Sequence, residues 1–208
     1  MSLTPQDAKT HARLLEAAGE IFADRGFRAA TIREICERAK ANVAAAHYHF
    51  GDKEALYLEV LRSTAAEALK KYPPTLDLPA GATAEDKLHA FVRSLLLRIS
   101  DKGRPAWHGK LMAREMAEPT AALDALLNDI YQPLVARLED IVRELTGRAD
   151  DEVLRCARSV LGQCLYYYHA RQVIQRMTPQ QKFEPADIEL LAAHITRFSL
   201  AGLREYRA

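Results

Sequence analysis

Histidine, tyrosine and arginine gather in one stretch of the chain, TIREICERAKANVAAAHYHFGDK, from Thr31 to Lys53. His47 and His49 suggest a metal pair, but residues two apart on a helix point in different directions. Catalysis is no better served. There is no GxSxG elbow, phosphate-binding glycine loop or metal-ligand spacing, and Tyr168-His169 lacks a surrounding nucleophile, base and orienter. Cys36, Cys156 and Cys164 make no CxxC pair, and the last two sit too far along one predicted helix to bridge. Free thiols of this kind suit a reducing compartment. What the stretch can do is enter a DNA groove. Ala44, Ala45 and Ala46 keep its second half slim at the start, and His47, Tyr48, His49 and Phe50 end it.

Two short helices must position these groups. Thr31 with Glu34 predicts a capping box, and Ile32, Ile35, Cys36 and Ala39 supply one apolar face. After a break near Lys40–Ala41, Asn42 predicts the N-cap of a helix starting at Val43. A helix–turn–helix of this size fits a major groove; a surface hairpin of some other all-α protein fits the same pattern. Upstream, Ala8, Ala12, Leu15, Ala18, Ile21 and Phe22 predict a helix from about Pro5, with residues 1–5 frayed and Gly26 ending it. Phe27 is expected to plug the small core beneath. Downstream, Gly51-Asp52 closes the motif, and Ala55, Leu56, Leu58, Val60 and Leu61 mark a fourth helix to about Lys71.

The rest reads as helix too. Pro73-Pro74 opens a linker, and helices are predicted over 84–100, 106–117, 120–145 with a kink at Pro133, 150–177 and 185–206, with a break over 101–105. No strand pattern or repeat interrupts them. The fold class is therefore all-α, with nine or ten helices around an ample core for 208 residues. A net charge of +1 says nothing of nucleic acid, but Arg25, Arg28, Arg33, Arg38, Lys40 and Lys53 outnumber Glu34, Glu37 and Asp52 locally. No apolar run reaches the ~18 residues of a membrane span, and no signal pattern opens the chain. A soluble, cytoplasmic protein without membrane partners is expected.

From Arg13 to about Leu61 the chain resembles the DNA-binding domain of the tetracycline-repressor (TetR) family of bacterial transcriptional regulators. LLEAAGEIFADRGF matches the first helix, TIREICERA the second, and NVAAAHYHFGDKEALYLEVL the recognition helix, its Gly-x-Lys junction and the fourth helix. The resemblance implies a three-helix DNA-binding domain over 1–53 and a ligand-binding and dimerisation domain over 54–208, entered through a connector helix at 54–71. It places DNA contacts on Thr31, Arg33, Ala44, Ala45, His47, Tyr48, His49 and Lys53. Thr31 and Lys53 suit phosphates, Tyr48 and His49 the backbone, Arg33 and His47 base edges, and the alanines close approach. One departure stands in the turn, where Lys40 replaces a common glycine. If that residue needs a positive φ, lysine costs on the order of 1 kcal/mol.

WHGKLMAREMAEPT and SVLGQCLYYYHAR further resemble the CecR-like subgroup, linked to export and drug-tolerance genes. That resemblance makes Trp107, Met112, Arg114, Glu115, Met116, Gln163, Tyr167 and His169 candidates to line an effector pocket, although Arg114 and Glu115 equally fit a structural ion pair. The implied protein is not an enzyme and needs no cofactor. It is a homodimer paired through its last two helices, a ligand-responsive repressor on a palindromic double-stranded operator. The alternative is a helical small-molecule-binding dimer with weak or no specific DNA binding.

Overall fold

The computed structural model describes residues 4–76, 78–101 and 106–207; most of the break expected over 101–105 lies outside them. Every regular element among these residues is helical: α1 (Pro5–Ala29), α2 (Ile32–Ala39), α3 (Val43–Phe50), α4 (Lys53–Lys71), α5 (Ala84–Ser100), α6 (Ala106–Ala117), α7 (Ala122–Leu126), a π turn (Leu127–Tyr131), α8 (Gln132–Thr146), α9 (Asp151–His169), α10 (Arg171–Met177) and α11 (Pro185–Arg204). The chain runs from α7 through the π turn into α8 without a break, and counted together with them it has ten helical segments among the described residues. The all-α expectation holds.

By contact the chain divides into two compact units, residues 1–67 with 103–128 and residues 68–102 with 129–208. Neither is a simple half of the sequence. The first contains α1 to α3, most of α4, and the later helices α6 and α7. Thr4 caps α1 in a complete capping box with Asp7, and Pro5 occupies the first turn, so order begins earlier than the frayed 1–5 expected. The buried face of α1 is Leu14, Ala17, Ala18 and Phe22, while Ala8 and Ala12 are exposed. The predicted stripe went astray there because alanine carries too little apolar area to define a face. Ile35, Leu56, Tyr57, Val60 and Leu61 complete this core.

Two glycines let α6 reach α1. A Cβ on Gly19 would lie 2.4 Å from the Trp107 ring, so the indole is seated on bare backbone. Gly26 interrupts α1 with φ 79 and ψ 169, a conformation restricted almost entirely to glycine.

The second unit is built on α5, α8, α9 and α11, with Leu88, Phe91, Val92, Leu96, Leu138, Val142, Val160, Ile188 and Ile195 at its centre. The irregularity expected at Pro133 takes the form of the π turn just before it, since proline removes a backbone donor and obstructs the preceding turn. The helix predicted over 150–177 is in fact two. It breaks at Ala170, where ψ is 2, and neither glycine nor proline signals the break. The last helix stops at Arg204 rather than 206, its final residues forming a turn.

Candidate nucleic-acid interface

α2 and α3 are held by their caps. The Thr31 hydroxyl accepts from the Glu34 amide at 3.2 Å, but the reciprocal half of the expected box is not made, because the Glu34 carboxylate pairs with Arg25 instead. Asn42 Oδ1 accepts from the Ala45 amide at 2.7 Å and starts α3. Between them Lys40 stands at φ 50, ψ 46, in the left-handed region that glycine fills without steric cost. The turn thus closes around a lysine, with the Ala41 amide donating to the Cys36 carbonyl at 2.9 Å.

All eight DNA-contact candidates fall in the first unit. Thr31 at the cap of α2, Arg33 on α2, and Ala44, His47 and Tyr48 on α3 are exposed, while Ala45, His49 and Lys53 are half-buried. Tyr48 is 67 % exposed, which excludes the core role its ring would suit. Its ring meets the edge of His49, which in turn meets His11 edge-on at 5.6 Å. His11 is stacked on Phe50 at 4.6 Å and paired with Glu59 at 2.9 Å, so the end of α3 is anchored by an aromatic group on α1. His47 Nδ1 lies 2.6 Å from the Gly51 carbonyl. A carbonyl only accepts, so Nδ1 carries the proton and, in the neutral ring, Nε2 is left as an acceptor facing outward.

Charge on this face is held in reserve. Arg33 pairs with Glu37 at 3.1 Å, Arg38 with Glu20 at 2.6 Å, and Arg28 with Glu118 at 4.0 Å. Surface pairs of this kind contribute little, so the guanidinium groups can exchange a carboxylate for a phosphate at small cost. The Lys53 ammonium sits 4.5 Å above the Phe27 ring and donates to the Arg28 carbonyl at 3.5 Å, which fixes it at the start of α4.

The effector candidates divide between the units. Trp107, Met112, Arg114, Glu115 and Met116 belong to the first; Gln163, Tyr167 and His169 belong to the second. Arg114 and Glu115 form no pair with each other among the described contacts. Arg114 donates to the Ala23 and Asp24 carbonyls at 3.2 and 2.6 Å, serving the end of α1 where Gly26 breaks it. Glu115 is completely buried and receives the Tyr57 hydroxyl at 2.8 Å together with the Thr120 amide and hydroxyl. Burial, and then Glu115, hold the Tyr57 phenol well above its usual range, so it remains a donor. A crevice of about 420 Å³ opens beside these groups, bordered by Arg28, Phe27, Tyr57 and Glu118. Met112 is half-buried, and Met116 is 55 % exposed.

In the second unit Gln163 donates to Ser199 Oγ at 3.0 Å, within a groove between α9 and α11 that Phe198 and Tyr206 also line. Tyr167 packs on the core cluster, and His169 is exposed at the end of α9, edge-on to Tyr168. One buried charge escaped the sequence reading: Arg98 of α5, 3 % exposed. Its signal was its position seven residues after Phe91, on a helix already read as apolar. Among the described residues no group of three or more His, Cys, Asp or Glu could hold a metal, and no helix is long and apolar enough to cross a membrane.

Comparison with known proteins agrees with this geometry. Residues 14–60 match the profile of bacterial regulatory proteins of the tetR family, and residues 84–203 match the C-terminal domain of the HTH-type transcriptional dual regulator CecR. The CecR regulator of Shigella flexneri is 26 % identical over 206 residues, covering 94 % of this chain and 91 % of its own. A solved structure from Pseudomonas aeruginosa, described as a transcriptional regulator, superposes with a TM-score of 0.72 at 23 % identity, covering 99 % of this chain and 96 % of that one. A TetR-family structure from Mesorhizobium loti superposes with a TM-score of 0.66 at 22 % identity, covering 96 % and 98 %. These relatives are regulators rather than enzymes.

Proposed function

This chain belongs to the tetR family, with a C-terminal domain of the CecR type, and is a DNA-binding transcriptional regulator; from that premise we propose that it is a ligand-responsive homodimeric repressor of export or stress-tolerance genes. The observation that carries the proposal is the α2–α3 pair. Its second helix offers Ala44 and Tyr48 to the outside over a buried Ala46 and Phe50. A helix so presented enters a major groove, with the amides at the starts of α2 and α4 and the Lys53 ammonium meeting phosphates on either side. Arg33, once released from Glu37, forks onto guanine, and His47 Nε2 accepts from an exocyclic amino group of adenine or cytosine.

Two copies would pair through α9 and α11. Tyr166, Leu190 and Phe198 are 60 %, 71 % and 64 % exposed there, an apolar display that suits a partner. A two-fold dimer reads a palindrome, and effector binding lowers operator affinity only by its differential affinity for the two dimer forms. The protein would work in the cytoplasm. The Shigella relative bears the name of a dual regulator, so activation at some promoters accords with the same machinery.

The test is a salt titration of binding to the DNA flanking the protein's own gene. Palindrome-specific binding that falls steeply with salt supports the proposal. Weak, sequence-blind binding sinks it in favour of a helical small-molecule-binding dimer.

A further inference from the structure

The crevice of about 420 Å³ beside Glu115 lies wholly within the first unit. Its volume falls within the roughly 300–1,000 Å³ typical of small-ligand sites. The end of α1, the first turns of α4 and the C-terminal half of α6 form its walls. Two kinds of surface meet there. Phe27 and Tyr57, with ring centroids 4.9 Å apart, make an aromatic wall that Ala113 and Ala117 extend. Arg25, Arg28 and Arg114 stand around it.

The three arginines are held differently. Arg25 is turned to Glu34, outside the crevice. Arg114 commits Nε and Nη2 to the Ala23 and Asp24 carbonyls, and its Nη1 turns to the crevice wall at Gly26, 3.1 Å from where a Cβ would stand. Only the missing side chain of Gly26 lets the guanidinium come so close. Arg28, with its side chain 80 % exposed, meets Glu118 at 4.0 Å, the outer limit of an ion pair. Such a contact is exchanged for another anion at small cost. The second carboxylate on the wall, Glu115, is buried and engaged by Tyr57 and Thr120. Three guanidinium groups against two carboxylates leave the lining one positive charge in excess.

We propose that this crevice binds an aromatic monocarboxylate, whose carboxylate replaces Glu118 at Arg28 and reaches Arg114 Nη1 while its ring lies on the wall of Phe27 and Tyr57. A planar carboxylate matches the forked donors of a guanidinium, and a flat ring packs offset or edge-on against aromatic neighbours. A monoanion balances the excess charge, whereas a dianionic phosphate overshoots it beside Glu118. The same residues touch the DNA-reading machinery. Phe27 carries the Lys53 ammonium 4.5 Å from its ring centroid, and the Arg28 carbonyl accepts from that ammonium. A ligand on Arg28 and Phe27 therefore acts on the groups that fix Lys53, and operator binding weakens the ligand by the same factor. Only that coupling to DNA rests on the effector reading above; the site itself does not.

The test uses the full chain and three probes measured by calorimetry: 2-naphthoate, its neutral amide 2-naphthamide, and the saturated acid decahydro-2-naphthoate. The wild type should prefer the aromatic acid over the amide by about tenfold or more, the factor set by one charge-assisted hydrogen bond. It should prefer the aromatic acid over the saturated one by about threefold or more, as ring–ring packing allows. Arg28→Ala should remove most of the preference for acid over amide. Glu118→Gln removes the competing carboxylate and should tighten the aromatic acid by about twofold to fivefold, a gain that a merely structural role would not produce. No binding, equal binding of any pair by the wild type, a charge preference that survives Arg28→Ala, or no tightening in Glu118→Gln overturns the proposal. Operator binding read in the same samples separates the two claims. An acid that binds through Arg28 without releasing DNA upholds this site and refutes effector control.

Discussion

The Tyr57 hydroxyl on α4 donates to Glu115 Oε1 on α6 at 2.8 Å, joining two helices through residues 58 positions apart in sequence. Both side chains are buried, and the same carboxylate receives the Thr120 amide at the approach to α7. Tyr57→Phe should lower stability by about 1–3 kcal/mol, the cost of leaving a buried acceptor one donor short. Glu115→Ala should cost more, because it strands Tyr57 and Thr120 together. Urea unfolding midpoints decide this, and midpoints equal to that of the wild type would refute the structural role of the pair.

Gly19→Ala places a methyl group where the Trp107 ring now lies. Overpacking of this kind costs about 1–3 kcal/mol. Trp107 is the one tryptophan in the chain, so its emission reports the displacement directly. The expected result is a red shift with a lower melting temperature.

Lys40→Gly should stabilise the protein by about 1 kcal/mol, because the left-handed conformation at this position penalises a Cβ. Operator affinity should stay the same, since the turn already has that geometry. A lower melting temperature would show that the lysine side chain contributes something the backbone argument omits.

Base reading and phosphate holding separate by mutation. Lys53→Ala should weaken binding to every DNA sequence and lower the salt slope by about one. Arg33→Ala should change preference at one base pair by about 1–3 kcal/mol. Equal losses of Arg33→Ala on operator and random DNA, measured by fluorescence anisotropy, would count against a base contact.

Alkali should unfold the protein early. Burial pushes the Cys164 thiol up from 9.0 to about 12, and it raises the Tyr131 and Tyr57 phenols above 10.0. The unfolded chain sheds these protons first, so it binds fewer than the folded one, and stability falls as pH rises. The contribution is whole below about pH 9 and drains away above it. Cys164→Ser should delay the onset by about one pH unit, as read from urea midpoints across this range.

The helix–turn–helix was legible in the sequence because its signals are local. A cap at Thr31, a cap at Asn42 and an apolar stripe through Ile35 and Cys36 each lie within one or two turns of what they specify. Other features depended on tertiary contacts that no short window contains. Glu34 satisfies the capping-box pattern, yet its carboxylate is claimed by Arg25 from the preceding helix. Arg114 and Glu115 are neighbours in sequence, but on α6 they serve different helices, α1 and α4. Ala170 breaks a helix with no residue that announces it. Arg98 was passed over for a simpler reason: the stripe that predicted its helix counted only apolar positions.

The seat of Trp107 on Gly19 has a consequence for synthesis. The first unit is finished by residues from a stretch made long after its own first helices. While the ribosome works through the linker and α5, the nascent DNA-reading end keeps a bare backbone notch at Gly19 and a Tyr57 hydroxyl without its carboxylate. Its maturation is therefore delayed by the order of translation. A fragment cut at the linker would preserve that unfinished state permanently, and it would make a poor stand-in for the domain in the whole protein.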